Sequence, residues 1–424
     1  MIFAGPSPSK AHRRGTDRLV TPVETLRAIT PLLARAGITR VANVTGLDTI
    51  GIPVIAVYRP NSRSLAVFQG KGLDLDAARA SGVMEAIESY HAEHVTAPLR
   101  LASWNELQTS AKVVNVSALP RLSVSTFHPD RQTLWIEGRD LATDAATWLP
   151  YEMVHSNFSL PLPTGSGSFV MSSNGLASGN HLLEATSHAI CELVERDANA
   201  LWSAGGGAAR HDLRLDLGTV DDDDCQQLRE RLRRAGVAVA VWNTTSDVGL
   251  AAFRCVVVDR EPNHLQQRYF AFGSGCHPVR SVALLRALTE AVQCRLTYIA
   301  GARDDASRDF FERARNPDRV TRLREQVEQY EDAGTDFRDV PTFDSLDFST
   351  DVDHERACLA NVGLGEVVAV DLTLPAFGIP VVRVVIPGLE SLHDAPGYVQ
   401  GPRAQRAERS RHEHLHLHGS DAQR

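Results

Sequence analysis

The sequence predicts an α/β (α+β) protein, on three observations. Apolar runs of strand length recur along the chain, at 41–44, 52–58, 64–68, 237–242, 251–259, 367–372 and 379–386. Across 209–300 such runs alternate with helical periodicity, which argues for helices packed on a largely buried sheet. Three long helical stretches each follow a glycine turn and carry acidic residues.

Residues 1–20 are rich in Pro, Ser, Arg and Gly and lack apolar periodicity, so they read as an extended arm. Thr21-Pro22 starts a helix with Leu26, Ile29, Leu32, Leu33 and Ile38 as its apolar stripe and Gly37 at its end. Three strands then lead through Gly70-Lys71-Gly72 into a first acidic helix at about 75–94. Lys71 fits a phosphate contact and a solvated loop residue equally well. Residues 100–165 have short, mixed periodicity, with strand-like pieces at 113–116, 134–138 and 147–150, and read as an inserted subregion suited to substrate selection. The second acidic helix, 181–203, ends at Gly205-Gly206-Gly207. His188 on that helix is read as a surface or packing residue rather than a partner of the acidic groups. Asp221 to Asp224 suit a helix N-terminus and read as capping, not metal binding.

Phe270 to Phe272 lead through Gly273-Ser274-Gly275 into the third acidic helix. Residues 303–357 are highly charged and read as an exposed helical excursion available to a partner. Two closing strands precede Pro387-Gly388-Leu389-Glu390. The tail contains His412-Glu413-His414-Leu415-His416-Leu417-His418, read as disordered, with metal scavenging as the bland meaning of its histidines. The expected organisation is an arm at 1–17, one domain at 18–400 and a tail at 401–424.

The acidic helices share a spacing. Gly72 to Glu85 and Gly179 to Glu192 are 13 residues apart, and Gly275 to Glu290 is 15. Glu85/Glu88, Glu192/Glu195 and Glu290/Gln293 are each three apart, hence neighbours on a helix surface. At about 100° per residue, Glu184 falls within roughly 80° of Glu192 and Glu195. Such pairs usually mark a solvated face. Here Met84, Ile87, Leu193, Val194, Ala291 and Val292 crowd them, and carboxylates so held repel unless a cation neutralises them. An all-oxygen donor set suits a hard divalent cation, chiefly Mg2+, shared with phosphate oxygens. The glycine segments would bring backbone N–H groups to the phosphates. The sequence thus points to a magnesium–nucleotide site built from three helices.

Whole-chain properties exclude several other classes. A net charge of −8 over 424 residues leaves no electrostatic footprint for nucleic acid or an anionic membrane. The six cysteines lack metal-site spacing and sit mostly in apolar segments, reading as reduced thiols of a cytoplasmic protein. No apolar run is long enough to span a bilayer, and the N-terminus lacks the apolar core of a signal peptide.

Across residues 15–400 the chain resembles the YcaO family. The resemblance is most specific at Ser173-Asn174-Gly175-Leu176-Ala177-Ser178-Gly179-Asn180, followed by Glu184, Glu192, Glu195 and Arg196, and Pro-Gly-Leu-Glu at 387–390 supports the register. It implies the YcaO fold, with mixed sheets and acidic helices lining an ATP and Mg2+ site without a Walker A loop. On that resemblance Glu85, Glu88, Glu184, Glu192 and Glu195 are the expected metal residues. Arg18, Thr25, Asn180, Glu184, Arg196, Arg286, Glu290 and Gln293 are expected to contact the nucleotide, and Glu195, Arg196 and Arg286 to be catalytic.

The activity implied by the resemblance is ATP-dependent activation of a peptide-bond carbonyl. A nucleophile adds to the amide carbon, the oxyanion takes the γ-phosphoryl group, and phosphate then leaves. Azoline-forming members usually end in a proline-rich segment, whereas this chain ends in Asp421-Ala422-Gln423-Arg424. The chain is more similar to stand-alone members acting with a TfuA partner, where sulfide is the nucleophile and a thioamide the product. Azoline or amidine formation ranks second. A non-catalytic ATP-binding subunit, such as an accessory factor for methylthiolation of ribosomal protein S12, is the different-class alternative. Expected partners are a peptide or protein substrate and a TfuA-like protein, with a homodimer left open.

Overall fold

The computed structural model describes residues 7–260, 270–329, 334–391 and 397–419, the last eight of these by backbone alone. Helix α1 (Pro22–Ile29) is capped by Thr21, which exchanges hydrogen bonds with Glu24 as the Thr-x-x-Glu spacing requires. Strands β1 (Arg40–Asn43), β2 (Val54–Tyr58) and β3 (Val67–Lys71) form an antiparallel sheet, followed by α2 (Leu75–Glu93). Then come β4 (Leu99–Ala102), α3 (Trp104–Gln108), β5 (Thr133–Asp140), β6 (Ala146–Pro150), β7 (Leu176–Ser178) and α4 (Leu182–Ala204). After β8 (Leu215–Asp216) and α5 (Asp223–Arg234), the strands β9 (Val237–Asn243), β10 (Ala251–Asp259) and β11 (Phe270–His277) lead to α6 (Arg280–Ala300). The rest is α7 (Arg308–Ala314), α8 (Pro317–Gln329), β12 (Thr335–Asp336), α9 (Phe348–Asn361), β13 (Val368–Asp371), β14 (Val381–Val385) and α10 (Pro402–Gly419).

Three antiparallel sheets organise the molecule, and β8 with β12 forms a parallel pair. The fold is therefore on the α+β side of the expectation. In the sheet β11–β10–β9, Phe253 pairs with Gly275 and Cys255 with Gly273. The largest sheet runs β4–β5–β13–β14–β7, with β6 on β5, so the segment 100–165 shares a sheet with the closing strands. The strand-like piece at 113–116 is a single bridge, Val113 to Trp148, followed by a short 3-10 turn.

The glycines before the first and third acidic helices are not turns. Gly70 lies in β3 and Gly273 and Gly275 lie in β11. A Cβ on Gly275 would sit 2.0 Å from the carbonyl oxygen of Ala283, and one on Gly70 would sit 2.1 Å from that of Ala78. The missing side chains let α6 and α2 lie directly on their strands. Gly175, by contrast, does make a turn, with φ +75°.

Both faces of β11–β10–β9 are covered. Val239, Val241, Phe253 and Val257 face α5 and α6, while Ala240, Trp242, Val256 and Val258 face α8. The charged stretch after 303 thus carries an apolar stripe, Val320, Leu323 and Val327, that seals the outer face of this sheet. Phe337, Phe348 and Val352 from the same region are also buried. The segment is an integral layer rather than an exposed excursion, because three apolar residues at helical spacing suffice to cover a sheet. The C-terminal segment, expected to be disordered, starts as α10, with Arg403 buried on Asp197 of α4. The side chains of 412–418 lie outside the described residues.

Candidate functional site

The arm, α2, α4, α6 and the strands beneath them position the site. Asp74 caps α2, His181 caps α4, and each helix runs unbroken past its acidic pair. Glu85 and Glu88 of α2 lie close enough to Glu192 of α4 to feel its charge, and Glu195 feels Glu290 and Glu192. Burial pushes the carboxyl groups of Glu85 and Glu195 up to about 7. Glu88 is raised well above the ordinary range by burial and by the charges of Glu192 and Glu85. Three carboxyl groups raised in this way beside the charge of Glu192 have the electrostatics expected of a cation site.

Backbone donors fix two of them. The N–H of Gly175 donates to Glu192 at 3.3 Å, and the N–H of Ser178 donates to Glu88 at 2.7 Å, joined by the Ser178 hydroxyl at 3.1 Å. The glycine-rich segment before α4 therefore presents N–H groups to carboxylates. Arg196 bonds Glu195 at 2.9 Å and Glu192 at 3.3 Å, and these two neighbours hold it charged despite its burial.

Helix α6 closes the cluster. Glu290 accepts the N–H of Ser274 at 3.1 Å and the ammonium of Lys71 at 2.8 Å. Burial alone would raise this carboxyl group, but Lys71 and Arg196 outweigh burial and hold it low. Lys71 is thus a site residue rather than a loop residue, with its charge also acting on Glu85 and Glu195. Gln293 points elsewhere: its amide nitrogen donates to the carbonyl of Gln69 at 2.7 Å, tying α6 to β3.

A second group forms at the other end of α4. Glu184, almost fully buried, accepts the N–H of Leu19 at 2.9 Å and the Asn180 amide at 3.3 Å, with Arg18 at 3.7 Å. The Thr25 hydroxyl donates to Asn180 at 3.2 Å. Arg18, Thr25, Asn180 and Glu184 therefore come together, as the resemblance implied, but Glu184 spends its oxygens on the arm rather than joining the four carboxylates. Arg286 bonds the carbonyl of Cys276 at 3.3 Å and acts electrostatically on Arg18. His188 lies beside Arg286, Arg18 and Lys71, and burial together with these cations keeps it neutral.

Among the described residues no three His, Cys, Asp or Glu side chains stand at metal-holding spacing. Arg196 and Lys71 occupy the carboxylate oxygens instead. The donor chemistry still fits a hard cation: all oxygen, half-buried or buried, and mutually repelling.

Sequence reasoning missed Arg254, Arg303 and Arg383. Arg254 of β10 bonds Ser274 at 2.6 Å and lies near Glu290 and Glu195. Arg303 acts on Glu85, and Arg383 of β14 acts on Glu192 and Glu88. Two of these carried a legible signal: an arginine in the middle of an apolar strand, Phe253-Arg254-Cys255 and Val382-Arg383-Val384.

A family model described as YcaO cyclodehydratase, ATP- and Mg2+-binding, matches residues 69–390. The chain is 36% identical over 382 residues to an uncharacterised protein in the tfuA 3′ region of Rhizobium leguminosarum bv. trifolii, covering 88% of this chain and 89% of that one. It is 32% identical over 395 residues to an uncharacterised protein of Methanothermobacter thermautotrophicus, covering 88% and 94%. Its fold is similar to that of YcaO from Methanopyrus kandleri bound with AMPPCP and Mg2+, with a TM-score of 0.71 and 23% identity over 93% of this chain and 98% of that chain. It is also similar to a heterocyclase in complex with substrate and cofactor, with a TM-score of 0.74 and 22% identity over 92% of this chain. The chain spans about half of that heterocyclase, 54% of its length.

Proposed function

The chain belongs to the YcaO family, and on that premise we propose that it activates a peptide backbone amide by ATP-dependent phosphorylation, giving a thioamide. The observation that carries the proposal is the cluster of half-buried to buried, mutually repelling carboxylates on α2 and α4, with Arg196 and Lys71 alongside. Glu85, Glu88, Glu192 and Glu195 would hold Mg2+, which supplies charge neutralisation for a triphosphate. Arg196 and Arg286 balance phosphate charge as it redistributes, and Arg196 is free to turn from Glu192 and Glu195 once those face a cation. Arg18, Thr25, Asn180 and Glu184 bind the nucleotide from the arm side. Glu290 holds Lys71 in place, and Gln293 fixes β3 against α6.

With sulfide as nucleophile the bonds balance. HS⁻ adds to the amide carbon, the resulting oxyanion displaces ADP from the γ-phosphorus, and loss of a proton from sulfur expels phosphate and leaves C=S. The relative in a tfuA 3′ region supports a TfuA-type partner for sulfur delivery. Azoline or amidine formation is the second reading, favoured by the fold shared with a heterocyclase.

A thermal melt with ATP, with and without Mg2+, tests the premise on wild type and Glu195→Gln. Ligand at a hundredfold excess over Kd stabilises the native state by about 2.7 kcal/mol. The wild type should gain a Mg2+-dependent rise in Tm that Glu195→Gln loses. An equal rise in both proteins removes Glu195 from the site. Mass spectrometry of peptide incubated with sulfide then separates oxygen-to-sulfur exchange from loss of water.

A further inference from the structure

Arg383 sits in the middle of β14 among valines, and its side chain is fully buried. Its Nη2 donates to the carbonyl of Ser172 at 2.7 Å, while Nε and Nη1 find no partner among the described residues. Buried donors are almost always paired, and an unpaired one costs about 1–3 kcal/mol. The pairing of β14 with β7 sets Arg383 opposite Leu176. Leu176 stands between Gly175 and Ser178, whose N–H groups hold Glu192 and Glu88. The guanidinium thus stems from the strand beside the segment that holds those carboxylates, and it is within electrostatic reach of both.

A second unpaired donor lies within electrostatic reach of the same guanidinium. His155 is fully buried, and its Nδ1 accepts the N–H of Asn157 at 3.1 Å, which places the ring proton on Nε2. That Nε2 also lacks a partner among the described residues. Burial and the charge of Arg383 hold the ring neutral, with its pKa pushed down to about 4. The N–H of Ser156 donates to the carbonyl of Ala92 at 3.0 Å, fastening this segment to α2 just past Glu88. Each of these unused N–H groups calls for the same kind of partner, an oxygen bearing partial or full negative charge.

We propose that Arg383 and His155 bind the carbonyl oxygen of the substrate's backbone amide beside the carboxylate cluster. The proposal rests on the amide-activation reading above and names its acceptor subsite. Fixed donors act more strongly on an oxygen gaining charge than on the neutral carbonyl, so the pair favours addition of the nucleophile. It also explains why an apolar strand retains an arginine whose hydrogen bonds the fold does not complete.

The test uses the full chain with Mg2+ and AMPPCP, and N-acetylglycine N-methylamide as a minimal backbone amide, read by saturation-transfer NMR. Wild type should give a probe signal that Arg383→Met and His155→Gln lose. Ligand-free Arg383→Met should melt at the wild-type temperature or above, because an apolar side chain of similar length removes unpaired buried donors. Its Mg2+-dependent rise in Tm with AMPPCP should persist. A lower Tm for Arg383→Met would mean that the guanidinium is satisfied within the fold and would overturn the proposal. So would a probe signal that survives both substitutions or is missing from wild type. Absence of the AMPPCP rise in wild type sinks the nucleotide reading instead, and the probe signal then decides the donor pair by itself.

Discussion

Glu355 shows how far burial can move a single group. It is completely buried on α9, accepting the Ser187 hydroxyl at 2.6 Å and the Cys191 thiol at 3.3 Å. Burial raises its carboxyl group well above the ordinary range, and the neighbouring Cys191 adds to the effect. A folded-state pKa above the unfolded value means that the native state keeps a proton which the unfolded chain releases. Its stability is therefore fully present below about pH 4.3 and is lost as pH rises towards the folded pKa, by up to about 1.4 kcal/mol per pH unit. Glu355→Gln keeps the acceptor and cannot titrate. Its Tm relative to wild type should climb as pH rises above about 4.3, and a flat difference would show that the buried group is ionised. The glutamate pairs at 85/88 and 192/195 were legible in the sequence because three-residue spacing fixes a helix face. The role of Glu355 was not, since nothing in Asp353-His354-Glu355-Arg356 distinguishes a buried acid from a solvated one.

Elements are placed here by what their side chains lack. Helix α6 rests on β11 through Gly273 and Gly275, and α2 rests on β3 through Gly70. In Gly275→Ala the new Cβ would meet the Ala283 carbonyl at 2.0 Å and the Cβ of Arg286 at 2.8 Å. Overpacking of this kind costs about 1–3 kcal/mol or more. It should also shift the helix that carries Arg286 and Glu290, so the Mg2+-dependent rise in Tm with ATP should shrink together with the ligand-free Tm. A variant that melts early yet keeps the full ATP response would separate strand packing from the site. The glycines stood out in the sequence, but their meaning did not. A glycine in a turn and a glycine under a helix have the same local pattern, and only the partner element tells them apart.

At the scale of the whole molecule, the two ends of the chain fasten the site. At the N-terminus, Lys10 is buried between Asp17 and Asp351, at 2.7 and 2.6 Å, which sets the arm that carries Arg18. At the C-terminus, Arg403 bonds Asp197 at 2.8 and 2.9 Å, two residues beyond Glu195. Arg403→Met leaves Asp197 buried with only the Glu390 N–H as a donor among the described residues. The expected loss is about 3–5 kcal/mol by chemical denaturation, and adding Asp197→Asn should recover much of it. Full loss in the double variant would mean that the packing of α10, not the charge pair, holds the chain end. No helix among the described residues is long and apolar enough to cross a membrane, consistent with the absence of such a run in the sequence.

The sequence by itself determined the three acidic helices, the strands of the central sheet and the family, because helix spacing and apolar runs are local and repeat within a few residues. Only the tertiary structure decided that α8 seals a sheet, that Glu184 serves the arm, and that the charges of Lys71, Arg254 and Arg383 act on the cluster. Those outcomes depend on which distant segments share a surface. A charged side chain acquires its role from the charges and donors packed around it, and here they come from strands and helices up to hundreds of residues apart in the chain.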